Sequence, residues 1–221
     1  MFYEYRTYLM RVGEEGNYIR TLTEWCAEAN SRGHDFRLVG PFQTIIGEEN
    51  EVSYFFAWES LTALEKAWSE IYEDEHLLAK GLPWWEREET EGPLMLKVDS
   101  ELLQEVGDPA QFSVESGRIY EYRVYTMKTS EKHRMSKDGG FDKFFAAAKP
   151  HGFETIGPFK PKFGCENQIS YFFVWENLEA RETAYKSFAS DASIDRKTWY
   201  DRERLEGPLR VSCVSKLMRA C

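Results

Sequence analysis

The first half of the chain switches between hydrophobic patterns typical of strands and of helices. Residues 2–10 alternate and are rich in tyrosine, which predicts a half-buried strand. Apolar side chains then recur at helical spacing, so an amphipathic helix follows. Its buried face is expected to hold Tyr18, Leu22, Trp25, Cys26 and Ala29. Residues 36–46 and 51–58 predict two more strands, joined by a hairpin turn at 47–50.

A second helix and a last strand complete this half. Ser60 is suited to cap the helix, because its hydroxyl can accept a hydrogen bond from a free backbone N–H of the first turn. The inward face of that helix is predicted to carry Leu61, Leu64, Trp68 and Ile71. A short helical piece is expected over 84–88, and a strand after Pro93. The resulting order, βαββαβ, is the ferredoxin-like unit, with two helices on one face of an antiparallel sheet.

The same pattern returns in the second half of the chain. Four sequence blocks recur in the same order: 2–10 as 119–127, 40–42 as 157–159, 53–59 as 170–176, and 91–94 as 206–209. Such ordered self-similarity predicts a tandem duplication. We place the first ferredoxin-like repeat at 1–98, a polar linker at 99–117 and the second repeat at 118–217.

Each predicted sheet has one face covered by helices and one open face rich in aromatic residues. Exposing apolar area to water forfeits about 25 cal/mol per Å², so the open face is expected to find a cover. The other repeat can supply it. We therefore predict an α+β fold in which the two βαββαβ repeats form an α/β barrel with the helices outside, an intrachain pseudo-dimer that leaves open a further homodimer.

Composition and charge limit the kinds of partner that the protein is expected to bind. The net charge of the 221 residues is −10, and most of the acidic excess lies in residues 1–100, which argues against nucleic-acid binding. No apolar run approaches the roughly 18 residues of a membrane span. Residues 1–6 do not resemble a signal peptide. We expect a cytoplasmic protein with no membrane partner.

The sequence lacks the motifs that several kinds of metal-binding and catalytic sites require. Four cysteines, Cys26, Cys165, Cys213 and Cys221, form no CxxC pair and fit neither a zinc site nor a disulfide framework. Metal-binding histidine pairs, glycine-rich phosphate loops and a GxSxG elbow are also missing from the sequence. We therefore expect no metal and no cofactor, and neither a nucleotide-dependent enzyme nor a serine hydrolase.

The motifs resemble those of the NIPSNAP family, whose domain belongs to the dimeric α/β barrel superfamily. The resemblance rests on Glu4-x-Arg6-x-Tyr8, Glu121-x-Arg123-x-Tyr125, 151–159, 171–176 and Arg202-Glu203. It covers nearly the whole chain twice, without the linker, and the first copy departs from it at 34–40. The superfamily includes cofactor-independent monooxygenases, isomerases and haem-handling proteins, so the resemblance implies a protein that handles a small organic molecule.

Charged residues on the first strand of each repeat are the main candidates for a site. Alternate strand residues share a face, so Glu4, Arg6 and Tyr8 point the same way. Charges against an apolar helix layer would be costly. We therefore assign these residues to the barrel interior, opposite their counterparts Glu121, Arg123 and Tyr125. They form either a structural ion pair or a cavity in which arginine holds a carboxylate or an oxyanion.

Histidines and aromatic residues add further candidates. His34 and His151 occupy equivalent places before a strand, where each either ties down the loop or acts as a general base. Aromatic residues of the third strand of each repeat form either a packed core or a wall for a flat ligand. These residues are Tyr54, Trp58, Tyr171 and Trp175.

Two functions follow. The first is a protein that binds a small organic molecule in the barrel, with oxygenase- or isomerase-like chemistry independent of a cofactor. By the resemblance, His34 or His151 would abstract a proton, and Arg6 or Arg123 would stabilise the enolate. The alternative is a non-catalytic binding or scaffold protein with a packed barrel core, in which the Glu–Arg pairs are structural.

Overall fold

The computed structural model describes residues 1–106, 112–129 and 140–221. The chain divides into two compact units. The first comprises 1–104, 112–116 and 219–221; the second comprises the described parts of 105–111 and 117–218. Each unit carries one copy of the predicted repeat.

The first unit has the predicted order of strands and helices, with one long additional helix. Its elements are β1 (Phe2–Met10), α1 (Glu15–Ser31), β2 (Arg37–Ile46), β3 (Glu51–Trp58), α2 (Leu61–Glu73), α3 (Glu75–Glu91) and β4 (Met95–Glu105). The strands lie in the order β4-β1-β3-β2, and the central strand β1 pairs antiparallel with both β3 and β4. This is the ferredoxin-like arrangement expected from the sequence.

The second unit repeats that arrangement. Its elements are β5 (Ile119–Met127), α4 (Gly140–Ala148), a 3₁₀ turn (Lys149–His151), β6 (Glu154–Pro161), β7 (Gln168–Trp175), α5 (Leu178–Ser190), α6 (Arg196–Glu206) and β8 (Arg210–Ala220). The strand order is β8-β5-β7-β6. The registers of β5 with β7 and of β1 with β3 are equivalent, since Arg123 pairs with Tyr171 as Arg6 pairs with Tyr54.

Local sequence explains where the helices start. The predicted cap at Ser60 is confirmed: its hydroxyl accepts a hydrogen bond from the Ala63 N–H at 3.0 Å. Asn177 caps α5 in the same way, accepting from the Ala180 N–H at 2.8 Å. Each cap satisfies a backbone donor that the first helical turn cannot pair. The two capped helices therefore begin at equivalent positions of the two repeats.

The repeated Gly-Pro-Phe block marks an irregularity in β2 and in β6. The pairing register with the neighbouring strand shifts between Val39 and Phe42 in the first repeat. Gly40 has a φ of 102°, and a Cβ atom there would lie 2.9 Å from the Phe42 ring. Gly157 has the same conformation beside Phe159. Only glycine fits this conformation and this space, so the block recurs for a backbone reason.

Two predicted boundaries are corrected. The helical piece expected over 84–88 is part of α3, a 17-residue helix that contains Pro83. Asp74 starts this helix by accepting hydrogen bonds from the His76 and Leu77 N–H groups, a cap that the sequence reading missed. Strand β4 continues to Glu105, so residues 99–105 of the predicted linker are strand.

Part of the linker also packs on the first unit. Phe112 is only 1% exposed, and its ring meets the edges of the Tyr3 and Phe55 rings at centroid distances of 5.9 and 5.2 Å. The Arg37 guanidinium donates to the Phe112 carbonyl oxygen at 3.1 Å. Tyr3 and Phe55 lie on the sheet face opposite the helices. That face is therefore partly covered by the chain's own connecting segment.

The main core of the first unit lies between its sheet and its helices. It contains the predicted inward residues Leu22, Cys26 and Ala29 of α1, with Ile71 of α2. Tyr18, Trp25, Leu64 and Trp68 pack against it while remaining partly exposed. Among the described residues, no helix is both long enough and apolar enough to span a membrane.

Candidate functional site

The polar row of the first repeat lies beneath the helices. The indole N–H of Trp68, on α2, donates to Glu4 Oε2 at 3.0 Å. The Arg6 guanidinium lies 4.6 Å from the centre of the Trp68 ring. The Tyr8 ring packs against Tyr18 of α1 at 4.9 Å. The prediction that Glu4, Arg6 and Tyr8 face a barrel interior is therefore wrong, although they do share one face.

The second repeat has the same orientation, so the prediction is also wrong for Glu121, Arg123 and Tyr125. Helix α5 supplies Arg181 and Tyr185, and both hydrogen-bond to Glu121. The sequence predicts a barrel-interior position because burying unpaired charges under an apolar helix layer is costly. Side chains from the helices offset that penalty by pairing each charge at hydrogen-bonding distance.

Glu121 accepts hydrogen bonds from four side chains. Its side chain is only 1% exposed. The donors are the Trp175 indole at 3.2 Å, Arg181 Nε and Nη2 at 2.8 and 3.2 Å, the Tyr185 hydroxyl at 3.1 Å and Arg123 Nη1 at 3.1 Å. A carboxylate has about four lone-pair positions, so this group is saturated. It acts as a fixed anchor.

Arg123 is less completely paired than its carboxylate neighbour. Its Nη1 donates to Glu121 and to the Tyr185 hydroxyl, the latter at 2.6 Å. Among the described residues, its Nη2 reaches only the Cys213 Sγ at 3.4 Å, and a thiol is a weak acceptor. Its Nε is buried and has no hydrogen-bond partner among the described residues. The side chain as a whole is 18% exposed, so solvent reaches part of it although the Nε is buried.

The equivalent arginine of the first repeat is fully engaged. Arg6 Nε and Nη2 both reach Glu4 Oε1, at 2.7 and 2.6 Å, and Nη1 donates to the Tyr8 hydroxyl at 3.2 Å. In Arg6, the Nε–Nη2 edge holds the carboxylate of Glu4. The same edge of Arg123 has no oxygen partner in the part of the chain that the structure describes. In the first repeat, therefore, the structural ion pair considered from the sequence describes the geometry.

Neutral phenols surround both arginines. Burial raises the pKa of Tyr54 and of Tyr18, whose hydroxyls lie 3.3 Å apart. Burial likewise raises the pKa of Tyr171, whose hydroxyl donates to Tyr125 at 3.0 Å, and the pKa of Tyr185. These tyrosines stay protonated at neutral pH. They act as hydrogen-bonding groups, and the positive charge of each row resides on arginine.

The strand-end tryptophans belong to the core. Trp58 and Trp175 are 2% and 1% exposed, on the helix-facing side that they share with Tyr54 and Tyr171. Phe36 meets the Trp58 ring edge-on at 5.0 Å, as Phe153 meets Trp175. The shared face is as predicted, and the packed-core interpretation fits these contacts.

Both candidate histidines face carboxylates. His34 Nε2 lies 3.0 Å from Asp74 Oδ2, and His151 Nε2 lies 3.0 Å from Asp191 Oδ2. His151 Nδ1 is also 2.8 Å from the Ser187 hydroxyl. Hydrogen bonds from Arg32 and then His34 lower the pKa of Asp74 below its usual range. Each histidine thus joins the loop before a strand to the end of a helix.

These histidine pairs are separate from the arginine rows. No described hydrogen bond or ion pair links His34 to Arg6, or His151 to Arg123. An open surface cleft of about 780 Å³ adjoins His34, with Arg32, Glu70 and Asp74 in its walls. Within the described residues, no three His, Cys, Asp or Glu side chains are grouped so as to hold a metal ion.

Sequence reasoning missed three residues that define the second row: Arg181, Tyr185 and Cys213. Of these three, only Arg181 could have been noticed from the sequence. It is a charged residue at the position equivalent to Leu64, which faces inward in the first repeat. Cys213 lies on β8, far along the chain from Arg123. Its contact with the guanidinium follows only from the pairing of β8 with β5.

Comparison with known families and structures agrees with the repeat. The family model for NIPSNAP matches residues 3–105 and again 120–206. No curated protein is significantly similar to the chain.

Solved structures are similar in fold. A proposed monooxygenase from Lactobacillus acidophilus is 10% identical, over 98% of this chain and 92% of its own, with a TM-score of 0.60. An anthrone oxidase-like protein is 12% identical, over 100% and 91%, with a TM-score of 0.51. An uncharacterised NIPSNAP domain protein from Burkholderia xenovorans is 17% identical, over 52% and 100%, with a TM-score of 0.38. At these identities, the first two likenesses establish the fold alone.

Proposed function

We propose a function for this chain, which belongs to the NIPSNAP family: its second repeat binds a small organic carboxylate or enolate through Arg123. One observation carries the proposal. Among the residues that the structure describes, the buried Nε of Arg123 has no partner, and the adjacent Nη2 contacts only a thiol. A buried guanidinium with unused donors favours an anionic oxygen as its partner.

The geometry of the guanidinium defines the recognised group. The Nε–H and one Nη2–H point in parallel from the same edge of the guanidinium plane, so they match the two oxygens of a carboxylate. Glu4 occupies the same edge of Arg6. A ligand carboxylate at Arg123 would therefore supply the contact that the first repeat makes within the protein.

The surroundings favour a ligand with a flat apolar body. The Arg123 guanidinium carbon lies 5.5 Å from the centre of the Tyr125 ring and 5.8 Å from that of Phe173. Both rings are buried, so the surroundings of the guanidinium are apolar and favour a ligand whose carboxylate is attached to an apolar body. We therefore expect aromatic carboxylates to bind better than short aliphatic ones.

Binding is better supported than proton transfer. The Tyr185 hydroxyl already bonds to Glu121 and Arg123, and burial raises its pKa, so it stays protonated at neutral pH and cannot accept a substrate proton as a phenolate. His151 is held by Asp191 and Ser187. An isomerase- or oxygenase-like step with His151 as its base would require a rearrangement of these contacts, so the proposal is limited to binding.

Isothermal titration calorimetry with 2-naphthoate tests the proposal. Arg123→Gln should weaken binding at least about tenfold, since a hydrogen bond to a charged group contributes roughly 1.5–3 kcal/mol. The fold should survive, because Glu121 keeps Arg181. Arg204→Gln, on the exposed surface of α6, is the matched control and should bind normally.

The uncharged analogue 2-naphthamide separates recognition of the carboxylate from apolar adsorption. It should bind at least about tenfold more weakly than the acid, for the same reason. Equal affinity for acid and amide, or an Arg123→Gln variant that binds like the unchanged protein, would refute the proposed function.

A further inference from the structure

We infer that Arg181 is a positioning residue that frees Arg123 for a ligand, so that only the second repeat has a binding site. The inference rests on the proposed function and extends it to the number of sites in the duplicated chain. Its basis is a difference in sequence between two helices that occupy equivalent positions in the two repeats.

Helices α2 and α5 place different residues over the two polar rows. Both helices have 13 residues and begin after a side-chain cap. The fourth residue is Leu64 in α2 and Arg181 in α5, and four positions later stand Trp68 and Tyr185. Leu64 packs against the apolar core of the first unit. Arg181 instead reaches the carboxylate of Glu121 with two nitrogens, at 2.8 and 3.2 Å.

The exchange of Leu64 for Arg181 changes which nitrogens of the strand arginine contact the carboxylate. Among the described residues, Glu4 has ion-pair contact only with Arg6, and it holds the Nε–Nη2 edge of that side chain. Glu121 uses its oxygens for Arg181, Tyr185 and Trp175, and it receives only Nη1 from Arg123. The Nε–Nη2 edge of Arg123 is thereby released from the protein's own carboxylate.

The exchange also changes the charge of the row. The first row pairs one carboxylate with one guanidinium and is neutral. The second row sets Glu121 against Arg123 and Arg181, which leaves one positive charge in excess among the described residues of the row. Arg210, where the first repeat has Met95, adds another guanidinium 5.1 Å from the Tyr125 ring. An excess of positive charge in a partly desolvated row favours an anionic ligand over a neutral one.

The direct test replaces Arg181 by the residue of the other repeat. In Arg181→Leu, Glu121 should take the Nε–Nη2 edge of Arg123, and 2-naphthoate should bind at least about tenfold more weakly although Arg123 is unchanged. Arg181→Lys, which keeps the charge and one hydrogen bond, should retain part of the affinity. Circular dichroism and thermal melting establish that each variant is folded.

A gain of function in the first repeat provides the complementary test. The double change Leu64→Arg with Trp68→Tyr reproduces the α5 residues over Glu4. It should release Arg6 and raise the calorimetric stoichiometry from one to two ligands per chain. A residue with a merely structural role would not change the number of sites.

A measurement without ligand makes the two proposals separable. In NMR spectra of ¹⁵N-labelled protein, the Arg123 Nε–H proton should move downfield in Arg181→Leu, because it gains a carboxylate acceptor. Suppose Arg123→Gln loses binding while Arg181→Leu keeps full affinity and an unshifted Nε–H signal. The inference is then overturned and the proposed function stands. If Arg123→Gln binds normally, the proposed function fails, and the Nε–H shift still decides the role of Arg181.

Discussion

Single residues set the electrostatics of the second repeat. Glu121 is the buried negative charge of its row, and two guanidinium groups, an indole and a phenol donate to it. Each of these donors lost water when it was buried. Their compensation comes largely from this one carboxylate, so its removal would leave two arginines without their counter-ion.

Removing this carboxylate should be strongly destabilising. We expect Glu121→Ala to lower the free energy of unfolding by about 3–5 kcal/mol, the usual effect of breaking a buried ion pair from one side. Urea denaturation followed by circular dichroism measures it. Glu182→Ala, which removes a surface pair with Lys186, should change stability by less than about 1 kcal/mol. Similar effects of the two substitutions would contradict the anchoring role of Glu121.

At the scale of elements, a charge network joins α1 and α3 of the first unit. Arg87 donates to both oxygens of Glu14, at 3.0 and 2.8 Å, and to both oxygens of Glu91. Arg11, just after β1, also reaches Glu14 and Glu91. Hydrogen bonds from Arg87 lower the pKa of each of these carboxyl groups to about 2. The network thus fastens the end of α3 to the start of α1.

This network should make the stability of the folded protein depend on pH in the acidic range. Because the pKa of Glu14 and of Glu91 is lower in the folded state, their stabilisation is complete above the unfolded-state pKa of about 4.3. It is lost as the pH falls toward about 2. Arg87→Met should therefore melt at a lower temperature than the unchanged protein at pH 7, and the difference should shrink between pH 4.5 and pH 2.

The control for this pH dependence is Arg204→Met, whose side chain is exposed and whose nearest carboxylate contact is long, at 3.8 Å. Its melting temperature should follow that of the unchanged protein at every pH. A deficit of Arg87→Met that stays constant down to pH 2 would show that Arg87 acts through packing on Trp84 and not through its carboxylate partners.

At the scale of the whole molecule, the chain contains two complete ferredoxin-like units and a connecting segment. That segment is structural where it reaches the first unit, because Phe112 fills a site against Tyr3 and Phe55. The polar composition of residues 99–117 predicts a linker. Phe112 is buried, as Leu103 is, and it anchors the segment.

Truncating this anchor should destabilise the first unit. Phe112→Ala should cost about 3–5 kcal/mol, the typical range for a buried phenylalanine. Differential scanning calorimetry should show an earlier transition for the first unit. Phe163→Ala, in an exposed hairpin turn, should have an effect within about 0.5 kcal/mol. If the two variants melt alike, Phe112 does not anchor the segment.

The sequence by itself determined the duplication and most of the elements, although not the length of α3 or the end of β4. Strand and helix periods are local properties, so β1, β2, β3 and the cap at Ser60 could be placed from a few neighbouring residues. The same period of two correctly put Glu4, Arg6 and Tyr8 on one face. That the open faces of the two sheets cover each other stays a prediction.

Only the tertiary structure decided which face meets the helices and which arginine is available. The cost of burying a charge depends on its partners, and those partners come from distant segments: Trp68 for Glu4, and Arg181 for Glu121. Arg6 and Arg123 stand in identical local motifs. They differ because the neighbouring helix supplies a second guanidinium, Arg181, to the carboxylate of the second repeat, where the first repeat has the apolar Leu64.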